Sequence, residues 1–204
     1  MTSDTPRSHY PALMVQLDSV GSTLLKAAND LLAAEGPGAL TVRRIANAAG
    51  VSTMNVYSRF GGKDGVVEHL FVEGFTRLGD VMRSVTATDD PLADMLSCGL
   101  SYRKFAIEHP TLYSVMFDRV VPDYRPTIEA ELIAGATLEL LADRIERAMN
   151  AGALRPADRM HTAALVWATC HGVVSLELKA VGPMAIDWPR VYQQALNMIV
   201  KGLA

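Results

Sequence analysis

The sequence predicts an all-α protein. Alanine, leucine and methionine are abundant among its 204 residues, and runs of β-branched residues are rare. No segment alternates cleanly between apolar and polar residues, as a half-buried strand would. Half of the residues are hydrophobic, which is enough to bury the core of one large domain or of two small ones. The boundary signals and the segment 41–63, described below, further predict an N-terminal three-helix domain with a helix-turn-helix, followed by a C-terminal helical domain.

Apolar residues at helical spacing predict nine helices, each bounded by a capping residue or a helix breaker. They cover about 17–35, 41–49, 52–60, 64–84, 90–108, 111–117, 126–150, 157–180 and 187–201. Gly36 ends the first helix, and Thr41 and Ser52 are good N-caps for the second and third. Gly50 occupies the turn between those two, where a residue without a Cβ can take a positive φ.

The later helices have similar boundary signals. Asp64 lies in the first turn of the fourth helix, where its charge favours the helix dipole. Pro91 suits the first position of the fifth helix, which ends before Pro110. Gly152 follows the long seventh helix, and Asp187 caps the ninth.

Segment 41–63 differs in charge from the rest of the chain. The protein has a formal net charge of −3, yet this segment contains four basic residues and no Asp or Glu. An acidic chain is not a general polyanion binder, but phosphate attraction depends on where the charges lie. Because the segment is also predicted to form a helix, a tight turn and a helix, we expect one face of it to bind double-stranded DNA.

Residues 51–71, VSTMNVYSRFGGKDGVVEHLF, resemble the TetR/AcrR family of bacterial transcriptional regulators. The motifs are YSRF at 57–60 and KDGV at 63–66, preceded by TVRRIA at 41–46. The resemblance covers roughly residues 18–71. Arg59 departs from it, since His is common there, and so does Gly65, where Glu or Ala is more usual. This resemblance implies a helix-turn-helix regulator of transcription.

Side-chain chemistry assigns two roles within this segment. Arg43 and the start of the recognition helix are expected to read bases, because Arg pairs with guanine, Asn pairs with adenine and Met packs on a thymine methyl. The reading residues are Arg43, Thr53, Met54 and Asn55. The residues expected to hold phosphates are Thr41, Ser52, Tyr57, Arg59 and Lys63. Arg44 is a further DNA-binding candidate that alternatively faces solvent, and Phe60 is expected in the core.

Residues 165–177 resemble the WHG-type C-terminal domain of TetR regulators, with Trp167, His171 and Gly172 at the family spacing. The upstream HPTLYSVMF at 109–117 agrees with it. This resemblance implies a helical domain for ligand binding and dimerisation. Methionine and aromatic side chains suit a small apolar ligand with one polar group. The pocket candidates are Met95, Cys98, Tyr102, Phe105, Tyr113, Met116, Phe117, Trp167 and His171; alternatively each packs in the core.

The last two helices are the expected dimer surface, as the resemblance implies. Ala163, Ala164, Ala168 and Gly172 allow close helix approach, and residues 191–199 offer an apolar stripe. A two-fold dimer would place two recognition helices about 34 Å apart, which predicts a palindromic operator.

Several other classes of protein are disfavoured. Cys170 and His171 are adjacent and project about 100° apart on a helix, so no metal site is expected, and no cofactor motif is present. An enzyme using His161, His171 or Glu177 would lack a nucleophile–base motif. No apolar run could span a bilayer, and the first ten residues lack the apolar core of a signal peptide, which predicts a cytoplasmic protein.

Three segments are therefore predicted: a flexible arm at 1–16, a DNA-binding domain at 17–71, and a ligand-binding and dimerisation domain at 72–204. The function expected is sequence-specific transcriptional regulation, as a repressor that an apolar small molecule releases from DNA. The alternatives are an activator of the same fold, a helical interaction module without DNA binding, and the enzyme considered above.

Overall fold

A computed structural model of the protein describes residues 17–180 and 186–204. These residues form nine α-helices and one 3₁₀ turn, without a strand among them. The helices are α1 Ser19–Glu35, α2 Val42–Ala48, α3 Thr53–Phe60, α4 Lys63–Arg83, α5 Pro91–Glu108, α6 Pro110–Phe117, α7 Ile128–Asn150, α8 Arg159–Leu178 and α9 Trp188–Leu203. The predicted all-α class is confirmed. The 3₁₀ turn Pro37–Ala39 was not predicted, and the predicted arm at 1–16 lies outside the described residues.

Side-chain caps explain where several helices begin. The carboxylate of Asp18 accepts a hydrogen bond from the Gly21 amide at 2.7 Å, and Thr41 Oγ1 accepts one from the Arg44 amide at 3.3 Å. Asp187 caps α9 in the same way. These bonds satisfy amides that have no partner in the first helical turn. Ser52 holds the N-cap position of α3 without making such a bond.

The described chain packs as two compact units. The first contains the residues up to Val72 together with Val121–Ile133, and the second contains Glu73–Val120 and Ala134–Ala204. Helices α4 and α7 each contribute residues to both units. The segment 121–133, which the sequence places in the C-terminal domain, thus groups with the N-terminal residues.

Helices α1, α2 and α3 form the core of the first unit. Leu24, Ile45, Ala46 and Val56 are completely buried there. Gly50 has φ 68° in the turn between α2 and α3, as predicted for a residue without a Cβ.

Gly65, the departure from the family motif, has a steric reason in this structure. A Cβ at this position in α4 would overlap the carbonyl oxygen and carbon of Phe60 at the end of α3. Only glycine permits this close approach of the two helices without a shift of the backbone.

The second unit has an aromatic-rich core and one strongly bound carboxylate. Phe105, Tyr113 and Tyr192 are almost fully buried, and the Tyr192 hydroxyl donates to the Gly99 carbonyl at 2.6 Å. Asp94 accepts hydrogen bonds from Arg147 Nη1 at 2.6 Å and from the Thr88 amide at 2.8 Å. Every helix in the described part of the chain is too short or too polar to cross a bilayer.

Candidate DNA interface and apolar cavity

The predicted base-reading side chains lie at the surface of the first unit. Thr53 and Met54 open α3, and Met54 is 70% exposed. Asn55 is half-buried, with its Nδ2 donating to Ser52 Oγ at 3.1 Å. An exposed Met at the start of the recognition helix leaves its apolar side chain available for a thymine methyl. Thr53 and Met54 are exposed and Asn55 is half-buried at the same helix start, and their base-reading role stays a prediction.

The two arginines of α2 have different surroundings. Both are exposed, and Arg44 Nη2 forms an ion pair with Glu35 Oε1 at 2.5 Å. Within the described residues, Arg43 makes no such bond. Arg43 therefore keeps its donors available for a base or a phosphate, whereas Arg44 must exchange a partner to bind DNA.

The predicted phosphate-binding residues are also at the surface. Thr41 and Ser52 are exposed N-cap residues, and Tyr57 is 55% exposed. Lys63 opens α4 and lies 4.0 Å from a carboxylate oxygen of Asp64, a loose pair that DNA could replace. Phe60 is buried, as expected for a core residue.

Arg59 has a more specific environment than the sequence indicates. Its Nε and Nη2 donate to the two carboxylate oxygens of Asp18, at 2.9 and 2.6 Å, and its Nη1 donates to Asn55 Oδ1 at 2.8 Å. The guanidinium holds the pKa of Asp18 down at about 2, chiefly through these hydrogen bonds. The sequence could not reveal this pair, because its members are separated by 41 positions.

A buried carboxylate in the first unit was missed by the sequence analysis. Glu68 of α4 is 7% exposed and accepts hydrogen bonds from the Tyr124 hydroxyl, the Thr127 hydroxyl and the Thr127 amide. These donors satisfy a group that is costly to bury alone. They also fasten segment 121–133 to α4, next to the helix-turn-helix.

The second unit contains a cavity of about 290 Å³ with an almost wholly apolar lining. Tyr102 and Thr137 supply the hydroxyl groups of its lining, and the other side chains are hydrocarbon, aromatic or thioether groups. The lining residues are Phe75, Leu78, Met82, Tyr102, Phe117, Ala134, Gly135, Thr137, Leu138, Leu141 and Trp167. No charged residue belongs to this set, so the cavity offers no counter-ion to a charged ligand.

The structure brings some of the predicted pocket residues together and excludes others. Tyr102, Phe117 and Trp167 line the cavity. Tyr113 and His171 lie behind the lining, in contact with it. The remaining candidates Met95, Cys98, Phe105 and Met116 are buried core residues outside the lining. Burial raises the pKa of the Cys98 thiol to about 11, so this cysteine stays protonated.

An aromatic cluster forms one wall of the cavity. The rings of Phe117 and Trp167 are 5.9 Å apart, and the Phe117 ring meets the His171 ring edge-on at 5.0 Å. The Tyr113 hydroxyl lies 2.7 Å from His171 Nδ1 and 2.9 Å from the Tyr102 hydroxyl. Desolvation lowers the pKa of His171, which favours a neutral imidazole at pH 7. His171 is therefore a half-buried histidine that is hydrogen-bonded to Tyr113 and supports a cavity wall.

The lining residues missed by the sequence analysis lie on α4 and α7. Phe75, Leu78 and Met82 follow one stripe of α4, while Leu138 and Leu141 follow one of α7. In the sequence, both stripes look like the apolar face of any helix that packs in a protein core. The available signal was the group of small residues at 134–137, Ala-Gly-Ala-Thr, because a helix with small side chains fills less space. Nowhere in the described residues do three or more His, Cys, Asp or Glu side chains come together as metal ligands.

Comparison with known families identifies both halves of the sequence. The profile for bacterial regulatory proteins of the tetR family matches residues 24–70. The profile for the tetracyclin repressor-like C-terminal domain matches residues 95–199, about half of the chain. The narrower WHG assignment stays a prediction. A search of curated proteins finds no relative that matches this sequence.

Solved structures share the fold. A protein with unknown function from Rhodococcus sp. RHA1 has a TM-score of 0.80 at 23% identity, over 94% of this chain and 98% of its own. The fatty acid degradation regulator FadR from Bacillus halodurans has a TM-score of 0.76 at 19% identity, over 91% and 96%. The TetR family transcriptional regulator PfmR from Thermus thermophilus has a TM-score of 0.70 at 19% identity, over 89% and 98%.

At these identities the structural likeness shows the fold, while the two profile matches show the family. One profile match covers the helix-turn-helix with its recognition helix, and the other covers most of the helical domain that follows. The chain belongs to the TetR family and is a DNA-binding transcriptional regulator, not an enzyme.

Proposed function

We propose that the protein is a homodimeric repressor of the cytoplasm that binds a palindromic operator and leaves it when an uncharged apolar molecule enters the cavity of the second unit. The observation that supports this most directly is the combination of an exposed recognition helix with a cavity whose lining carries no charge. The two features lie in different compact units, so the proposal requires coupling between them.

For DNA, the proposal assigns reading to Arg43, Thr53, Met54 and Asn55 and phosphate contacts to Thr41, Ser52, Tyr57 and Lys63. Most of these groups are exposed, and Asn55 and Lys63 are half-buried at the same surface, which supports the assignment. Selection of bound sequences from random DNA tests it. We expect a palindrome whose half-site centres lie about 34 Å apart, as two-fold related recognition helices require. A selected site without two-fold symmetry would contradict the dimeric arrangement.

Two substitutions separate reading from phosphate binding. Asn55→Ala should weaken binding to the selected operator and leave binding to random DNA unchanged. Lys63→Ala should weaken both and reduce the salt dependence by roughly one unit of slope, because one phosphate contact is lost. If Asn55→Ala lowers the affinity for the operator and for random DNA equally, Asn55 does not recognise a base.

For dimerisation, the proposal uses the exposed faces of α8 and α9. Leu165, Leu176 and Met198 are large apolar side chains that remain exposed there, and Ala168 and Gly172 are small and exposed on α8. Leu176→Glu should shift the protein to a monomer in light scattering. Ile107→Glu, an exposed apolar position on α5, is the matched control and should leave the dimer intact. A wild-type monomer at micromolar concentration would overturn this part.

For the ligand, the cavity favours a largely hydrocarbon molecule with one uncharged hydrogen-bonding group. The name of the Bacillus halodurans regulator connects that protein with fatty acids, but the ligand class proposed for this chain rests on its own lining. A matched set of probes is 1-decanol, decanoate and decylamine. We expect only decanol to raise the melting temperature strongly and to release operator DNA, since a charged end would be buried without a partner.

A cavity-filling variant tests the location of the ligand. Gly135 lines the cavity, and a Cβ there would meet no atom within 4 Å. Gly135→Leu should therefore prevent decanol binding while operator affinity is kept. Gly38→Leu, at another glycine with open space around its Cβ, is the control and should respond like the wild type. Unchanged decanol binding in Gly135→Leu would place the ligand elsewhere.

Coupling is proposed to pass through α4 and α7, because each helix lines the cavity and also contributes to the first unit. The ligand must bind the state that cannot bind DNA more tightly than the state that can. The ratio of these two ligand affinities sets the largest factor by which the ligand can lower operator affinity. Hydrogen bonds add a second connection between α7 and α4. Tyr124 and Thr127 lie just before the first residue of α7, and their hydroxyl groups donate to Glu68 of α4.

A further inference from the structure

The Arg59 guanidinium is occupied on two sides by groups of the protein itself. It donates to both carboxylate oxygens of Asp18 and, through Nη1, to Asn55 Oδ1 at 2.8 Å. Asp18 is itself fixed, because its Oδ1 accepts the Gly21 amide at the start of α1. The chain of contacts therefore runs from a helix cap in α1 to the amide group of a side chain in α3.

The nitrogen of the Asn55 amide is held as well, because Nδ2 donates to Ser52 Oγ at 3.1 Å. A guanidinium has only donors, so it can be satisfied by the oxygen of an amide and never by its nitrogen. Arg59 thus fixes the orientation of the Asn55 amide, with Oδ1 towards the guanidinium and Nδ2 towards Ser52. An amide oxygen has two acceptor sites and an amide nitrogen has two protons, so one of each remains available. Adenine recognition in the major groove uses one acceptor and one donor of this kind.

The charge of Arg59 is largely balanced by Asp18. A basic side chain that holds a phosphate needs donors that the phosphate can reach, and the loose 4.0 Å pair of Lys63 with Asp64 leaves the lysine such donors. Arg59 instead has a carboxylate against two of its nitrogens at 2.6 to 2.9 Å. The pair stays ionised at neutral pH, because the same bonds lower the pKa of Asp18 and raise that of Arg59.

We propose that Arg59 is a positioning residue for sequence recognition: held by Asp18, it orients the amide of Asn55 towards a base and does not act as the phosphate clamp that the sequence suggests. The inference rests on the proposed reading role of Asn55. It assigns Asp18, far from the recognition helix in sequence, to the control of DNA specificity.

The experiment uses the full-length protein and two duplexes, the operator selected by the wild type and a random sequence of equal length. Dissociation constants for both are measured over a range of salt concentrations for Arg59→Lys, Arg59→Ala and Asp18→Asn. Asparagine is as good an N-cap as aspartate, so Asp18→Asn keeps α1 capped, while it removes the charge and replaces one of the two oxygens that accept from Arg59 with an NH2 donor. Circular dichroism and thermal melting verify that each variant is folded.

We expect all three variants to lower the ratio of operator affinity to random-DNA affinity, by roughly tenfold for Arg59→Ala, with an unchanged salt slope. Arg59→Lys should behave like Arg59→Ala, because lysine keeps the charge but cannot hold Asp18 and Asn55 together in a planar fork.

A phosphate clamp makes opposite predictions. Asp18→Asn would then strengthen binding to both duplexes equally by freeing the guanidinium, Arg59→Lys would be nearly normal, and Arg59→Ala would lower the salt slope by about one. Any of these results overturns the proposal.

A comparison with Asn55→Ala separates failure of this inference from failure of the proposed function. If Asn55→Ala loses operator preference while Asp18→Asn and Arg59→Lys retain it, Asn55 reads a base without help from Arg59 and only the positioning role is lost. If Asn55→Ala has no effect on operator preference, the reading role of Asn55 falls and the positioning role falls with it.

Discussion

In the first unit most of the candidate functional side chains are exposed, whereas in the second most of them are buried or half-buried and Trp167, at 36% exposure, is the exception. Met54 and Tyr57 are 70% and 55% exposed, while Tyr113, behind the cavity wall, is 1% exposed. Substitution of an exposed group removes a contact with a partner but few contacts within the protein. Substitution in the cavity wall removes both. Function and stability should therefore be separable in the DNA-binding unit and closely linked in the cavity unit.

The strongest test of this contrast is Tyr113→Ala. Removal of a buried aromatic side chain should lower the free energy of unfolding by about 3–5 kcal/mol, measured by urea denaturation. Tyr113→Phe keeps the ring and loses only the hydroxyl between Tyr102 and His171, so its cost should be about 1 kcal/mol. Similar losses for the two variants would show that packing of the ring is not the main contribution.

The buried carboxylate of the first unit is the exception to the contrast, and Tyr124→Phe tests it. Glu68 would lose one of its donors while remaining buried, which should cost about 1–3 kcal/mol of unfolding free energy. Tyr57→Phe removes an exposed hydroxyl with no partner among the described residues and should change stability by less than about 0.5 kcal/mol. Equal effects of the two substitutions would mean that the Glu68 cluster does not hold segment 121–133.

In the second unit, the buried carboxylate of Asp94 should make stability sensitive to acid. The Thr88 amide and Arg147 hold the pKa of Asp94 down, from an ordinary 3.8 to about 2. A lowered folded-state pKa stabilises the protein above about pH 4, and this contribution disappears as the pH falls towards 2. Asp94→Asn should thus be less stable than the wild type at neutral pH, and the difference should shrink between pH 4 and pH 2. A difference that is constant in urea unfolding from pH 7 to pH 2 would contradict this.

Met54→Ala should also change stability very little. The side chain is mostly exposed, so the free energy of unfolding should change by less than about 0.5 kcal/mol. Operator binding should weaken more than binding to random DNA, because a thymine-methyl contact is lost. A gel shift with both duplexes and a thermal melt of the same sample measure the two effects together.

Local interactions were predictable from the sequence, and contacts between distant residues were not. Thr41, Asp187 and Gly50 act within a few positions of themselves, and they cap helices or form the turn as expected. The basic side chain of Arg59 suggests a phosphate contact in the sequence, which does not show its partner Asp18, 41 positions away. The ion pair between Arg44 and Glu35 was missed for the same reason.

The cavity shows the same limit. Tyr102, Phe117 and Trp167 were among the predicted pocket residues and do line it, but Phe75, Leu78 and Leu138 read as plain core stripes. A stripe of apolar side chains looks the same in a sequence whether it faces another side chain or an empty space. The distinction depends on how several helices pack against one another.

By itself, the sequence determined the helical class, the helix boundaries and the basic helix-turn-helix, because hydrophobic period, caps and local charge act over a few residues. Only the tertiary structure decided that Glu68 anchors segment 121–133, that Asp18 occupies Arg59, and which helix faces enclose the cavity. Each of these depends on groups from distant parts of the chain meeting at hydrogen-bond or van der Waals distance, and such meetings follow from the packing of whole helices.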